Sequence, residues 1–204
     1  LKTGQLKNPI TSGVGPITRI ARLDKDTRTM WYEAVGKEPN QDPYFTHLYR
    51  VGLDGKNNVS LTPDNGTHTA QISPDGKYVV FSADKNLRSD SLVARERDSV
   101  AKLPPNHVRD DADRNDTDLY ILPVAACEAG DAAACKPKKI DYFGSETNII
   151  WSADSKHLAF VGRPGQFSSS RLLLASVDGG KPVDILGGWK YEPGQIEWFK
   201  DGKI

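Results

Sequence analysis

Apolar and polar positions along this chain follow one phrase that keeps returning. At Gln71–Ala83 it reads QISPDGKYVVFSA: alternating residues, a polar turn, then the apolar run Tyr78-Val79-Val80-Phe81. It returns as IIWSADSKHLAFVG at Ile149–Gly162, as IEWFKDGKI at Ile196–Ile204, and more loosely as ARLDKDTRTMWYEA at Ala21–Ala34. With the turn acids Asp26, Asp75, Asp154 and Asp201 aligned, the copies stand 49, 79 and 47 residues apart. Recurrence on this scale is the mark of a repeat architecture.

Each phrase predicts a β-hairpin. In Ser73-Pro74-Asp75-Gly76, proline presets φ, the aspartate bonds nearby backbone and glycine takes a positive φ. The β-branched and aromatic run that follows suits a pleated, buried surface. Two further strands are expected after each complete hairpin. They are Thr46–Gly55 with Asn58–Pro63, Thr117–Val124 with Lys138–Phe143, and Arg171–Gly180 with Lys181–Leu186. Asp54-Gly55 and Asp178-Gly179-Gly180 supply hairpin tips. The expected fold is therefore all-β: propeller blades, each a four-stranded antiparallel meander. The blades fall at about 17–63, 67–143 and 147–187, with the start of a fourth at 194–204. Propellers close with about four to eight blades, so this pattern implies part of a larger ring.

One interval breaks the period. Residues 84–116 form a charged insertion in the second blade, and Ser91–Leu103 within it predicts a short helix ended by Pro104-Pro105. Insertions of this kind are where function or partner contacts often sit, with a solvated excursion as the plain alternative. Asp111, Asp113 and Asn115 have calcium-loop spacing. The sixth and twelfth places, Asp116 and Leu122, lack the required Gly and Glu, so no metal is expected. Cys127 and Cys135 flank EAGDAAA, and a disulfide across this tip is the preferred reading over two unpaired thiols. A disulfide would indicate an oxidising compartment, periplasmic or secreted.

Charge adds little. The 27 basic and 27 acidic residues balance, so bulk charge recruits neither nucleic acid nor anionic lipid. No apolar run reaches the roughly 18 residues of a membrane span. No G-x-S-x-G elbow, phosphate loop, dinucleotide fingerprint or H-E-x-x-H occurs, so no catalytic residue and no cofactor is expected in the chain. His47, His68 and His157 read as ordinary strand or turn residues, and Trp31, Trp151, Trp189 and Trp198 as packing between blades.

These residues carry a resemblance. PYFTHLYRVGLDG…LTPDNGTHTAQISPDGKYVVFS resembles the propeller of the prolyl oligopeptidase family of serine peptidases, its dipeptidyl-peptidase members above all. IIWSADSKHLAFVG, LLLASVDGGKPVDIL and YEPGQIEWFKDGK are similar to the same family and to TolB-type propellers. The resemblance implies a substrate-gating propeller whose Ser-Asp-His triad belongs to a separate α/β-hydrolase domain absent from this chain. It implies a peptide substrate and allows a homo-oligomer. The family's dipeptidyl peptidases hold the substrate amine with adjacent glutamates on a propeller insertion. This chain has no such pair, and Arg95-Glu96-Arg97 is its nearest charged cluster. The alternative function is a TolB-like, non-enzymatic propeller that binds a protein partner.

Overall fold

In the computed structural model the repeated phrases become antiparallel ladders. The structure describes residues 4–5, 7–83, 98, 101–102, 118–131, 133–164, 168–199 and 201–204. The first sheet holds β1 (Ile17–Asp24), β2 (Thr29–Val35), β3 (Thr46–Gly52) and β4 (Val59–Ser60). The second holds β5 (Thr69–Ile72), β6 (Tyr78–Ala83), β7 (Asp118–Pro123) and β8 (Lys138–Lys139). The third holds β9 (Ser145–Trp151), β10 (His157–Arg163), β11 (Arg171–Ser176) and β12 (Val183–Asp184). Strand order is sequential in all three sheets, the order of a meander. A short helix, α1 (Val124–Glu128), follows β7 and was not legible from the sequence. Of the expected insertion only Asp98, Ala101 and Lys102 are described; Asp98 and Ala101 are helical, and the rest of the expected Ser91–Leu103 helix lies outside the described residues.

Position within a sheet explains composition. Second and third strands are covered on both faces: Met30, Trp31 and Tyr32 are all buried, as are Asp118–Leu122 and Leu158–Val161. Their apolar runs are accordingly continuous rather than alternating. The fourth strands are only two residues long. A short edge offers few unpaired backbone groups to another chain.

The phrase owes its repetition to one hydrogen-bonded turn. In the second copy Ser73 N donates to Tyr78 O at 2.9 Å and Gly76 N to Ser73 O at 2.9 Å. Ser73 Oγ donates to Asp75 Oδ1 at 2.7 Å and accepts from Tyr78 N at 3.0 Å, while Lys77 N donates to Asp75 Oδ1 at 3.0 Å. The third copy repeats each bond with Ser152, Asp154, Lys156 and His157. In the last copy Phe199 replaces the serine. The turn survives, with Phe199 N donating to Lys203 O at 2.7 Å, yet no strand forms among the described residues 196–204. A lone hairpin is marginal without neighbouring strands.

The first copy corrects the alignment of acids. Asp24, not Asp26, folds this turn: its Oδ1 accepts from Asp26 N and Thr27 N, both at 3.0 Å. Lys25–Arg28 is one residue shorter than Ser73–Lys77, so the acid shifts to the strand end. All four turns place one residue at positive φ: Arg28 at 53°, Gly76 at 73°, Ser155 at 61° and Gly202 at 83°. An L side chain in that region costs about 1–2 kcal/mol. Arg28 is exposed, so Arg28→Gly relieves this at little loss of contact. The expected result is a gain of about 1 kcal/mol in denaturant unfolding.

The same turns respond to acid. The Asp154 carboxyl is held below the ordinary carboxylate value, first by the Ser152 hydroxyl and then by the Lys156 amide. A carboxyl that is more acidic in the folded state contributes stability above its unfolded pKa and loses it as pH falls through the folded one. Melting temperature should therefore fall from pH 5 towards pH 2 more steeply in the native chain than in Asp154→Asn. Equal slopes would show that this turn does not hold its charge.

The chain divides into two compact units, Leu1–Ala83 with Tyr120–Lys138, and Asp84–Leu119 with Lys139–Ile204. In the first unit Trp31, Leu48, Leu61, Ala70, Val79, Phe81, Tyr120 and Leu122 form one buried cluster between the first and second sheets. On the other face of the first sheet Met30, Tyr32, Tyr49 and Val51 pack beneath Ile10 and Leu53. In the second unit the third sheet buries Leu158, Ala159, Phe160, Leu172, Leu173 and Ala175.

Candidate functional site

The first unit holds the residues of the THLYR and LTP…H phrases, and folding brings them together. His47, on β3, is 1% exposed; His68, just before β5, is 6% exposed. Their ring centroids lie 5.6 Å apart, His68 meets Phe81 edge-on at 5.2 Å, and Phe81 stacks on Tyr120 at 5.6 Å. The result is a row of rings through the joint between the two sheets. His47 Nδ1 faces the Thr62 carbonyl and His68 Nε2 the Asp64 carbonyl at 3.1 Å. Each of these ring nitrogens is engaged by a carbonyl, which suits N–H donation and a packing role. Thr62 Oγ1 completes the joint by accepting from Leu48 N at 2.9 Å.

Two arginines tie the sheets at this joint. Arg22, on β1, donates from Nη1 to Ser73 O at 2.9 Å, so a first-sheet strand grips the turn of the second sheet. Arg50, on β3, places its guanidinium 5.3 Å from the Trp31 ring and pairs with Glu128 of α1. Burial pulls the Arg50 guanidinium below its ordinary value, and the nearby Asp24 charge opposes that. On the opposite face Glu38 Oε1 accepts from Tyr49 Oη and from Ser60 Oγ, both at 2.8 Å. Burial first, and then this carboxylate, push the Tyr49 phenol well above its usual range. Nothing in the local sequence announces Glu38, Arg50 or Glu128, because each partner lies far away along the chain or in a connection of no regular pattern.

The second unit contains a Ser-Asp-His grouping. Ser152, Asp154 and His157 line an open depression of about 430 Å3 with Leu174, Trp198 and Asp201. Its geometry is that of a turn and not of a nucleophile. Ser152 Oγ donates a hydrogen bond to Asp154 Oδ1 at 2.6 Å, and His157 Nδ1 stays 4.0 Å from that carboxylate. A nucleophilic serine needs the imidazole as its proton acceptor. The second copy makes the same serine–aspartate bond with Tyr78 in the histidine's place, so the arrangement braces the hairpin. Elsewhere in this unit, burial followed by the charges of Glu146 and Asp184 pushes the Tyr142 phenol up to about 12. Arg163 reaches Ser170 Oγ at 3.1 Å and Glu192 at 3.4 Å, fastening the segment after β12 to the third sheet.

Of the residues singled out from the sequence, Arg95, Glu96 and Arg97 lie outside the described residues. Cys127 and Cys135 are disulfide-bonded, with Cα atoms 4.6 Å apart. Trp31 is buried in the joint, whereas Trp189 is 56% exposed and stacks edge-on with Tyr191. Among the described residues no three His, Cys, Asp or Glu side chains gather as a metal site, and no helix is long and apolar enough to cross a membrane.

Comparison with known proteins adds a family match over part of the chain. Residues 1–86 match the family model for the dipeptidyl peptidase IV (DPP IV) N-terminal region. Among solved structures the chain is similar to TolB from Acinetobacter baumannii. Identity there is 17% over 78% of this chain and 30% of that one, with a TM-score of 0.45. It is also similar to the β-propeller domain of the Trilobed protease from Pyrococcus furiosus, at 12% identity, 84% and 42% coverage and a TM-score of 0.42. For the tricorn protease the figures are 13% identity, 82% and 18% coverage and a TM-score of 0.46. The chain spans less than half the length of each of these structures.

Proposed function

From the premise that this chain carries a β-propeller portion of the dipeptidyl peptidase IV family, we propose that it is the substrate-gating part of a longer serine peptidase. The observation that carries this is the match of residues 1–86 to that family's N-terminal region, over a segment that folds as a complete four-stranded sheet and the start of the next. In this reading the blades at about 17–63, 67–143, 147–187 and 194–204 belong to one ring. The nucleophile, its histidine and its aspartate belong to a hydrolase domain elsewhere in the protein. The propeller's role is steric: it admits short or unstructured peptides to the triad and turns away folded chains. The disulfide supports a periplasmic or secreted location, since such bonds persist in oxidising compartments.

The test compares the isolated chain with the longer protein on dipeptidyl-nitroanilide substrates. The isolated chain is expected to release no nitroaniline above background. The longer protein should cleave these substrates and short peptides while leaving folded proteins intact. Hydrolysis by the isolated chain that a serine-directed inhibitor blocks would overturn the division of labour. A longer protein with no peptidase activity would overturn the function.

A further inference from the structure

Helix α1 has little of its own to hold it. Its five residues fall far below the roughly 12–15 at which isolated helices become even marginal in water. Its N-cap, Pro123, supplies no side-chain bond; the first turn has no acid and the last no base. Three things fix it from outside. Val124 N donates to Lys77 O at 2.9 Å, the Val124 and Cys127 side chains enter the buried cluster, and Cys127 is bonded to Cys135. The return of the chain is tight: Cys135 N donates to Asp131 O at 2.7 Å, and Asp131 Oδ1 accepts from Ala133 N and Ala134 N.

What α1 presents is Glu128, its last residue, paired with Arg50 of the first sheet. The Arg50 side chain is 18% exposed, lies over Trp31, and keeps its Nε buried with no hydrogen-bond partner among the described residues. A half-buried guanidinium that loses its counter-charge destabilises its surroundings. The covalent bond in the second sheet's connection thus sits in the same short helix as the residue that pairs with a charge in the first sheet.

We propose that Cys127–Cys135 is a redox-operated lock on the joint between the first and second sheets. Oxidised, it holds Glu128 on Arg50. Reduced, it frees α1 and loosens the joint locally. The reductant is a dithiol. Its thiolate attacks Cys135 Sγ, because Cys135 is partly exposed and Cys127 only 7% exposed. That forms a mixed disulfide and expels the Cys127 thiolate. The second thiol of the reductant then closes its own disulfide and expels the Cys135 thiolate. Two electrons and two protons pass to the cysteines, and the dithiol ends oxidised.

Hydrogen exchange with mass spectrometry on the 204-residue chain tests this, in oxidised and dithiothreitol-treated samples and in the variants Cys127→Ala/Cys135→Ala and Glu128→Gln. Reduction and the double variant should each speed exchange across Ala125–Gly130 at least tenfold and across Arg50–Val51 at least threefold, while β10 stays unchanged. Glu128→Gln should speed Arg50–Val51 alone. Unchanged exchange at α1 on reduction would overturn the proposal. So would a freed α1 with an unaffected β3, or an α1 freed equally by Glu128→Gln. Global unfolding on reduction, seen in far-ultraviolet circular dichroism, would make the bond a general staple and equally end the idea.

Discussion

Trp31→Ala is expected to destabilise the first unit by about 3–5 kcal/mol, the usual cost of deleting a buried indole. Trp31 is 2% exposed and belongs to the cluster that joins the first and second sheets. Its removal leaves a cavity beneath Arg50, whose guanidinium lies 5.3 Å from the ring and loses that face as well. Domains are typically stable by only about 5–15 kcal/mol, so the loss takes a large share of the margin. The third sheet draws its core from Leu158, Phe160 and Leu173, so hydrogen exchange should show β10 keeping its protection while β2, β3 and β6 lose theirs. Uniform loss across all three sheets would mean the two units do not respond separately.

Gly144→Ala is the second large effect, and it acts on the third sheet. Gly144 sits at φ +128°, a conformation that L side chains rarely adopt. A Cβ there would stand 2.1 Å from the Arg163 carbonyl oxygen and 2.7 Å from Pro164 Cα, both backbone atoms that cannot swing aside. Backbone strain of about 1–2 kcal/mol and overpacking of about 1–3 kcal/mol combine at one site. The expected outcome is a loss of about 2–5 kcal/mol in denaturant unfolding, with β9 and β10 fraying first. Gly130→Ala separates the two contributions. Gly130 has φ +70° and open space around it, so only the strain of about 1–2 kcal/mol should appear. Equal losses at the two sites would contradict the clash.

The strands that can be read from the sequence are those whose chemistry is local. Tyr78-Val79-Val80-Phe81 and His157–Val161 announce themselves because a covered strand needs a continuous apolar run and because a Ser-x-Asp turn precedes each. The fourth strands read as longer segments than they are. Lys181–Leu186 reduces to Val183–Asp184 because an edge strand is paired on one side only. Helix α1 has no sequence signature because Val124–Glu128 has neither cap nor period, only a disulfide and the buried cluster to hold it. The spacing points to Asp26 rather than Asp24, because a turn shortened by one residue cannot be told from spacing alone. The pairing of His47 with His68, and of Arg50 with Glu128, depends on how one sheet meets the next. No pattern within either segment encodes that.

If this propeller gates a peptidase, as proposed above, the nucleophile lies elsewhere in the protein. Labelling the longer protein with a fluorophosphonate and mapping the modified peptide tests it most directly. The expected result is one labelled serine outside these 204 residues, with the isolated chain taking no label. A label on Ser152, or on any serine within this chain, would contradict the account.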